Sequence, residues 1–397
     1  MHVAFVCSNA THIHTFAPVI AKLSESGVHS TLLSLEEYYG GDLGAVAAAH
    51  GVRAVMVRRR SGPLVPNAFY ARSVSAIWRD VLVARRDVAA VLDEISPAAV
   101  VVGNDFGLME KVTLRVARQR GARRVLVQDG RLTARRPRED EPTRRLLRLA
   151  KSVLSPALRL LGLPELAASE YGQGDVDVIC VTSRDSQLLL RQRARKGTHV
   201  VLTGQPRYAS ATHGRGASPG TEDNLVTMFT TPFAVDRLSK ESQHRQVRLA
   251  ADLSERLSAA RVTFLVKPHP REDAAAYRSA GLTTVDEMPA ALLARSWVAI
   301  VGISTVIEEA ALAGVPLIVP GRVVHGSRFD HQMPPADIYP WFESSAEACE
   351  LLDGLRDPSA WQRLAERQRA SVLGELVATV PPDLAAAAVA AQIVGRR

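Results

Sequence analysis

The sequence contains few cysteines, few aromatic residues and no apolar run long enough to span a membrane. Its 397 residues include three cysteines, Cys7, Cys180 and Cys349, which lie far apart and lack metal-site spacing. A disulfide framework and a cysteine zinc site are therefore excluded. The chain opens in a strand, without the basic and apolar leader of a signal peptide, so we expect a cytoplasmic protein.

The scarcity of aromatic residues and the excess of positive charge limit the choice of partners. Aromatic residues make up 5% of the chain, too few for the base-stacking platforms of single-strand readers, so we expect no nucleic-acid partner. The formal net charge of +8 suits anionic ligands such as nucleotides or acidic lipids. Residues 142–161 combine an apolar stripe with arginines, which predicts either peripheral contact with an anionic membrane or a solvated basic helix.

Short apolar runs alternate with helical patterns along most of the chain, with His12 in a turn, residues 8–15, before the first predicted helix, and with one helix predicted over 36–50. This alternation predicts an α/β protein with two doubly wound, Rossmann-like domains facing a cleft, followed by C-terminal helices. A run rich in Gly, Ser, Thr and Pro, residues 204–223, separates the two alternations. We therefore predict domains at 1–206 and 207–375, and a C-terminal helix, 376–397, that could pack back on the first domain.

The pattern of residues 297–320 predicts a strand, a turn at a glycine, a helix that ends at a second glycine, and another strand. The turn contains Gly302, and Ser304 or Thr305 can cap the helix that follows. In such a unit the helix N-terminus faces the carboxyl edge of the sheet, where N–H groups and the helix dipole favour a phosphate. Glu308, one turn on, is placed to accept from a ribose hydroxyl.

Two further polar turns follow the preceding strand candidates. Thr230 and Thr231 follow the strand 225–229, and Lys267 and His269 follow the strand 262–266. Because carboxyl ends of parallel strands share one edge, these turns predict a single pocket for a nucleoside diphosphate. The alternative is three ordinary loop ends.

Two motifs resemble those of the GT-B glycosyltransferase superfamily, and the resemblance extends over nearly the whole chain. The stretch THIHTFAPVIAKLSESG resembles the opening of natural-product nucleotide-sugar transferases, with His12 where that family has its catalytic base. Gly302 to Glu308 is similar to their donor signature, although Ile300 stands at the position of its phosphate-binding histidine.

Other motifs resemble relatives of the same fold. Lys267 to Pro270, together with the Ser304–Thr305 turn, looks like the histidine–proline and serine/threonine motifs of capsule-polymer and polysialic-acid transferases. Gln128 to Gly130 and Gly204 to Tyr208 are similar to segments of those enzymes and of CDP-glycerol polymerases. The resemblance implies that His269 contacts the donor phosphate in place of the missing histidine.

Leu126 to Thr133 also looks like a catalytic segment of UDP-sugar 2-epimerases. The catalytic carboxylate of that segment corresponds to Gln128, which cannot ionise. This difference argues against an epimerase.

The resemblance implies a glycosyltransferase that moves a sugar from a nucleotide-sugar donor to an acceptor hydroxyl. We expect an inverting reaction that needs no metal or cofactor, in cell-surface glycan or natural-product biosynthesis, with a UDP-type or CDP-type donor. The alternatives are a nucleotide-sugar epimerase or hydrolase, and a glycerophosphotransferase-like polymerase. Catalytic roles are predicted for His12, as base, and for Asp105, which would orient it. Acceptor or sugar contacts are predicted for His14, which is also a competing base, and for Gln128, Asp129, Asp330 and Gln332.

Overall fold

The computed structural model describes residues 1–39, 42–59, 74–105, 107–130, 132, 171–208, 224–233, 240–269, 272–326, 333–377 and 380–395. Asp330, Gln332 and the basic segment 142–161 lie outside these residues. The described chain divides into two compact units. The first takes in residues 1–132 and 171–208 and the last helix, and the second takes in 224–375, apart from the gaps.

The first unit is built on a seven-stranded sheet in the order β3-β2-β1-β4-β5-β6-β7, and every neighbouring pair is parallel. Most of its strands are short and largely apolar, as expected where helices cover both faces of a parallel sheet. They are His2–Cys7 (β1), His29–Ser34 (β2), Ala54–Met56 (β3), Ala99–Val102 (β4), Arg123–Val127 (β5), Val178–Val181 (β6) and His199–Leu202 (β7).

Seven helices flank this sheet in the described part of the unit. They are Ala10–Glu25 (α1), Glu36–Tyr39 (α2), Leu43–Ala49 (α3), Val74–Ile95 (α4), Leu108–Gln119 (α5), Arg184–Arg193 (α6) and, at the C-terminal end, Pro382–Val394 (α14). Helix α14 buries Val389 and Ile393 in the same apolar cluster as Val3 and Phe5 of β1. The last helix therefore completes the core of the first unit.

The second unit has a five-stranded parallel sheet in the order β12-β11-β10-β8-β9. Its strands are Leu225–Phe229 (β8), Thr263–Lys267 (β9), Val298–Val301 (β10), Leu317–Pro320 (β11) and Trp341–Phe342 (β12). Its helices are Lys240–Ala259 (α7), Ala275–Ser279 (α8), Pro289–Arg295 (α9), Val306–Ala313 (α10), Arg322–His325 (α11), Ser345–Gly354 (α12) and Pro358–Val377 (α13). Helix α10 ends at Gly314, whose φ of 74° is left-handed, so the predicted glycine stop is present.

Each sheet reverses its strand order at one place, between β1 and β4 in the first unit and between β8 and β10 in the second. Loops leave such a switch point in opposite directions and open a crevice at the carboxyl ends of the strands. The predicted histidine and glycine turns follow these strands. The topology therefore places both groups of candidate residues at switch points.

Three local expectations differ from the structure. Helix α1 begins at Ala10, because Asn9 caps it by accepting the N–H of His12 at 3.0 Å, so His12 lies on a helix and not in a turn. The helix expected over 36–50 is divided into α2 and α3. The segment expected to be a linker from residue 204 begins instead with a packed turn, in which Tyr208 is buried.

None of the helices in the described ranges combines the length and the apolarity that crossing a membrane requires.

Candidate active site

The first group of candidate residues lies around His12, in the first turn of α1. The imidazole is fully buried, and the backbone N–H of Ser8 donates to its Nδ1 at 3.3 Å. Its Nε2 lies 3.1 Å from Oδ2 of Asp129, which follows β5. Because a backbone N–H can only donate, Nδ1 is an acceptor, and the proton of the neutral ring is on Nε2, facing the carboxylate.

Gly103, at the end of β4, allows this pairing. In the sheet β4 lies between β1 and β5, so His12 and Asp129 follow strands that are about 10 Å apart. The ring of His12 lies directly over Gly103, where an added Cβ would be 2.5 Å from the ring Cδ2 and 2.6 Å from Nε2. The imidazole therefore bridges two strands across a position without a side chain.

Asp105 has a different role from the one predicted. Its carboxylate is buried and accepts the N–H groups of Gly172 at 3.0 Å and Gly174 at 2.6 Å. Burial raises the pKa of Asp105, and these hydrogen bonds oppose the rise. Both oxygens are therefore engaged in holding the segment before β6. The carboxylate beside His12 is that of Asp129, and the expectation that Asp105 orients His12 is corrected accordingly.

Gln128 also has a structural role. Its amide nitrogen donates to the carbonyl of Gly130 at 2.6 Å and to Ser186 at 3.2 Å, and its oxygen accepts the N–H of Thr182 at 3.1 Å. The side chain is 1% exposed. The predicted acceptor contact is not made by a group so enclosed, because its hydrogen-bonding capacity is used within the unit.

His14, the competing base, lies on the same helix but pairs with another histidine. Its Nδ1 is 2.9 Å from Nε2 of His50. Burial lowers the pKa of His14 to about 4, helped by the nearby charges of His50 and Arg207. His14 is therefore neutral at pH 7, and its contacts tie α1 to α3.

In the second unit, the Thr230 and His269 turns are joined by a carboxylate that the sequence did not single out. The hydroxyl of Thr230 donates to Glu272 and accepts the N–H of His269 at 2.9 Å. The same N–H also points to Glu272, at 3.0 Å. The single hydroxyl proton of Thr230 is thus committed to Glu272, which leaves Thr230 as a support for the turn.

A buried amide holds the neighbouring residue. Oε1 of Gln246 accepts the N–H of Thr231 at 3.0 Å, and its Nε2 donates to the carbonyl of Thr231 at 3.2 Å and to the Tyr277 hydroxyl at 2.7 Å. The Tyr277 hydroxyl donates in turn to Glu272 at 3.0 Å. Gln246, Tyr277 and Glu272 therefore connect the turns after β8 and β9 before any ligand binds.

Lys267 ends β9 and is 8% exposed as a residue. Its Nζ contacts Asp286 at 2.8 Å, but the Asp286 side chain is fully exposed. An ion pair with one partner in water contributes little to stability, so an incoming anion can compete for the ammonium group.

Gly302, at the end of β10, repeats the arrangement seen at Gly103. An added Cβ there would lie 2.8 Å from the Thr231 hydroxyl and 2.9 Å from Cε1 of His325, residues that follow the flanking strands β8 and β11. His325 was not predicted. It is 1% exposed, and burial next to Arg245 lowers its pKa to about 4. It therefore brings a neutral imidazole to this strand end.

The turn after Gly302 leads into α10. The hydroxyl of Ser304 accepts the N–H of Val306 at 3.2 Å, whereas Thr305 makes no side-chain capping bond. Glu308 is half-buried in the first turn of the helix. The structure thus brings Thr231, Gly302, Ser304 and His325 together at one strand end.

The residues that the sequence did not reveal have no local signature. Glu272 and Gln246 lie on segments that read as ordinary helix starts or helix interiors, and His325 follows a strand without any motif. Only their spatial neighbours identify them. Within the described residues, no group of three or more His, Cys, Asp or Glu side chains could hold a metal ion.

Comparison with known proteins agrees with this architecture. No family model matches the chain, and no curated protein matches it significantly in sequence. Among solved structures, the UDP-GlcNAc 2-epimerase from Neisseria meningitidis bound to UDP-GlcNAc matches with a TM-score of 0.62 at 12% identity, covering 100% of both chains. The glycosyltransferase SnogD from Streptomyces nogalater matches with a TM-score of 0.56 at 20% identity, covering 99% of each chain.

A glycosyltransferase from Rickettsia africae matches with a TM-score of 0.55 at 10% identity, covering 100% of this chain and 99% of the other. At these identities the similarity concerns the fold. The predicted fold class, an α/β protein with two Rossmann-like units, is confirmed, and the chain shares its fold with these glycosyltransferases and with the epimerase.

Proposed function

We propose that this protein is a glycosyltransferase that moves a sugar from a nucleotide-sugar donor to an acceptor hydroxyl. The observation that carries the proposal is the pairing of His12 with Asp129 at the switch point of the first sheet. Inverting transfer needs a group that takes the proton of the acceptor, and a histidine–carboxylate pair is suited to that task.

The second unit would hold the donor. The Ser304 turn and the N-terminus of α10 offer N–H groups and a helix dipole, and Lys267 and His269 offer cationic or polar side chains. Together these groups suit a diphosphate that gains charge as the sugar leaves. Since they supply positive potential themselves, we propose an inverting transfer without a metal ion. Full activity after dialysis against EDTA is the expected result, and activity restored only by added Mg²⁺ or Mn²⁺ would contradict it.

Thermal-shift measurements with UDP, CDP, CMP, GDP and dTDP test the donor site. A ligand that binds the folded state raises the melting temperature by mass action, so the preferred nucleotide gives the largest shift. His269→Ala should reduce that shift, because the variant removes an imidazole from the proposed phosphate site. The absence of a shift with every nucleotide would reject the proposal.

An epimerase or a nucleotide-sugar hydrolase is the second candidate, since the epimerase from Neisseria meningitidis has the same fold. Against epimerisation, Gln128 occupies the place of a carboxylate and uses its amide in three hydrogen bonds. Incubation with the donor alone separates these classes. A new nucleotide sugar indicates an epimerase, and transfer that depends on an added alcohol indicates a transferase. Turnover of CDP-glycerol instead of a nucleotide sugar would indicate the glycerophosphotransferase-like alternative.

A further inference from the structure

The two members of the His12–Asp129 pair differ sharply in accessibility. The His12 side chain is 0% exposed, and that of Asp129 is 26% exposed. An acceptor alcohol at the carboxyl edge of the sheet can therefore reach the carboxylate, whereas the imidazole has no exposed surface. A group that takes a proton must come within hydrogen-bond distance of the acceptor hydroxyl.

The hydrogen bonds of the imidazole favour the same assignment. Nδ1 of His12 accepts the backbone N–H of Ser8 at 3.3 Å, and the Ser8 hydroxyl lies 3.4 Å from the same atom. Nε2 faces Asp129 at 3.1 Å and so carries the ring proton. The Asn9 amide nitrogen, a donor, also lies 3.4 Å from Nε2, but the contact with the carboxylate is shorter, at 3.1 Å, and sets the position of the proton. In this tautomer neither nitrogen offers an exposed lone pair.

Asp129, in contrast, has accepting capacity left. One oxygen, Oδ2, receives the Nε2–H of His12. Among the residues that the structure describes, the other oxygen has no hydrogen-bond partner. A carboxylate oxygen that is reachable and unoccupied is suited to accept a proton from an alcohol.

From this geometry we propose that Asp129 is the catalytic base that touches the acceptor, and that His12 is a positioning residue that holds the carboxylate. The inference rests on the proposed glycosyl transfer. The acceptor O–H proton moves to Asp129, the acceptor oxygen bonds to the anomeric carbon of the sugar, and the bond from that carbon to the phosphate oxygen breaks. The electron pair leaves with the nucleoside diphosphate, and Asp129 then releases its proton to water.

Conservative variants separate the two assignments. In His12→Gln the amide can still donate to Asp129 but cannot accept a proton as a base, so we expect turnover within about 10-fold of the wild type. Asp129→Asn keeps the shape and loses the base, so we expect a fall of about 10² to 10⁴-fold. Asp252→Asn, which changes an exposed carboxylate on helix α7 of the second unit, serves as the matched control. The probe is the glucose derivative of the nucleoside diphosphate that gives the largest thermal shift, with glycerol as the acceptor, and release of that nucleoside diphosphate is measured.

Chemical rescue provides an independent test. Added formate should restore part of the activity of Asp129→Ala, because it can supply a carboxylate to the vacated space, whereas added imidazole should not restore His12→Ala. Loss of activity in His12→Gln equal to that in Asp129→Asn, with rescue of His12→Ala by imidazole, would overturn the assignment.

A measurement without turnover tests the same point. The long-range ¹H–¹⁵N spectrum of the histidine rings reports which nitrogen is protonated, and the His12 signal is the one missing in His12→Gln. We expect the Nε2–H tautomer at pH 7, and an Nδ1–H tautomer would overturn the inference. If no nucleotide binds, the proposed function fails, whereas the tautomer result still decides whether the geometry of the pair is correct.

Discussion

Adding one methyl group at Gly103 tests how closely the activity depends on the His12–Asp129 pair. In Gly103→Ala the new Cβ would lie 2.5, 2.6 and 2.9 Å from three ring atoms of His12. Ordinary contacts begin near 3.4 Å, so the ring must move by about 1 Å. The backbone of Gly103 does not have a positive φ, so the perturbation is the contact with the ring and not backbone strain.

The expected magnitude follows from this displacement. Because the ring holds the Asp129 carboxylate, its displacement moves the proposed base, and a misplacement of about 1 Å in a catalytic group costs on the order of 10²-fold in rate, or about 2.7 kcal/mol of transition-state stabilisation. Overpacking a buried site also costs about 1–3 kcal/mol of folding stability. Binding of the nucleotide should not change, because the donor turns belong to the second unit.

The assay compares kcat, the nucleotide Kd and the melting temperature for Gly103→Ala and Gly44→Ala. Gly44 is the control, since a Cβ there would have its nearest neighbour 4.0 Å away, at Asp42. We expect kcat to fall about 100-fold in Gly103→Ala alone, with an unchanged Kd in both. A folded Gly103→Ala protein that turns over at the wild-type rate would refute the role of the pair.

Three further results are expected. Gly302→Ala should weaken nucleotide binding by about 10-fold or more, because the new Cβ would lie 2.8 Å from the Thr231 hydroxyl. Isothermal titration calorimetry measures the Kd, and an unchanged value would show that the end of β10 is not part of the donor site. Tyr277→Phe should weaken nucleotide binding by a few-fold while the protein stays folded, because the variant removes the hydroxyl that donates to Glu272. A Kd equal to that of the wild type would show that the hydrogen bonds among Gln246, Tyr277 and Glu272 do not support the donor site. His325 should lower the free energy of unfolding by up to about 3 kcal/mol as pH falls from 6.5 to 4, because the unfolded residue takes up a proton in that range whereas the folded residue, with a pKa of about 4, resists it. His14, with the same lowered pKa, adds a decrease of the same sign. Urea denaturation at several pH values measures this, and an equally steep dependence in His325→Gln would assign the decrease to other groups.

The fold could be predicted from the sequence because parallel strands leave a simple pattern. Runs such as Ala99–Val102 and Val298–Val301 are apolar throughout, and glycine stops such as Gly314 separate them from helices. The helix starts were harder to place. Asn9 caps α1 two residues before the histidine motif, and this cap moves His12 from the expected loop onto the helix.

The sequence predicted which strand ends carry the candidate residues, but not which of these residues contact one another. The sequence indicated His12, His269 and Gly302 because each follows a strand within a short motif. It could not indicate which carboxylate meets His12, since the choice between Asp105 and Asp129 depends on strand order and on a glycine between the partners. Sheet order is a property of long-range pairing, which local sequence patterns do not contain.

Both units have the same arrangement of residues at the switch point of the sheet, and the strand order explains it. At each switch point a glycine ends a strand, and side chains from the strands on either side meet above it. Gly103 lies between the strands that precede His12 and Asp129, and Gly302 lies between those that precede Thr231 and His325. The absence of a side chain on the middle strand allows the outer two groups to approach one another.

Hydrogen–deuterium exchange with and without the nucleotide that gives the largest thermal shift tests the central claim most directly. The account predicts slower exchange in the peptides that contain Thr231, His269 and the Gly302–Val306 turn, because these backbone groups would surround the diphosphate. Unchanged exchange in all three, or protection confined to the first unit, would contradict it.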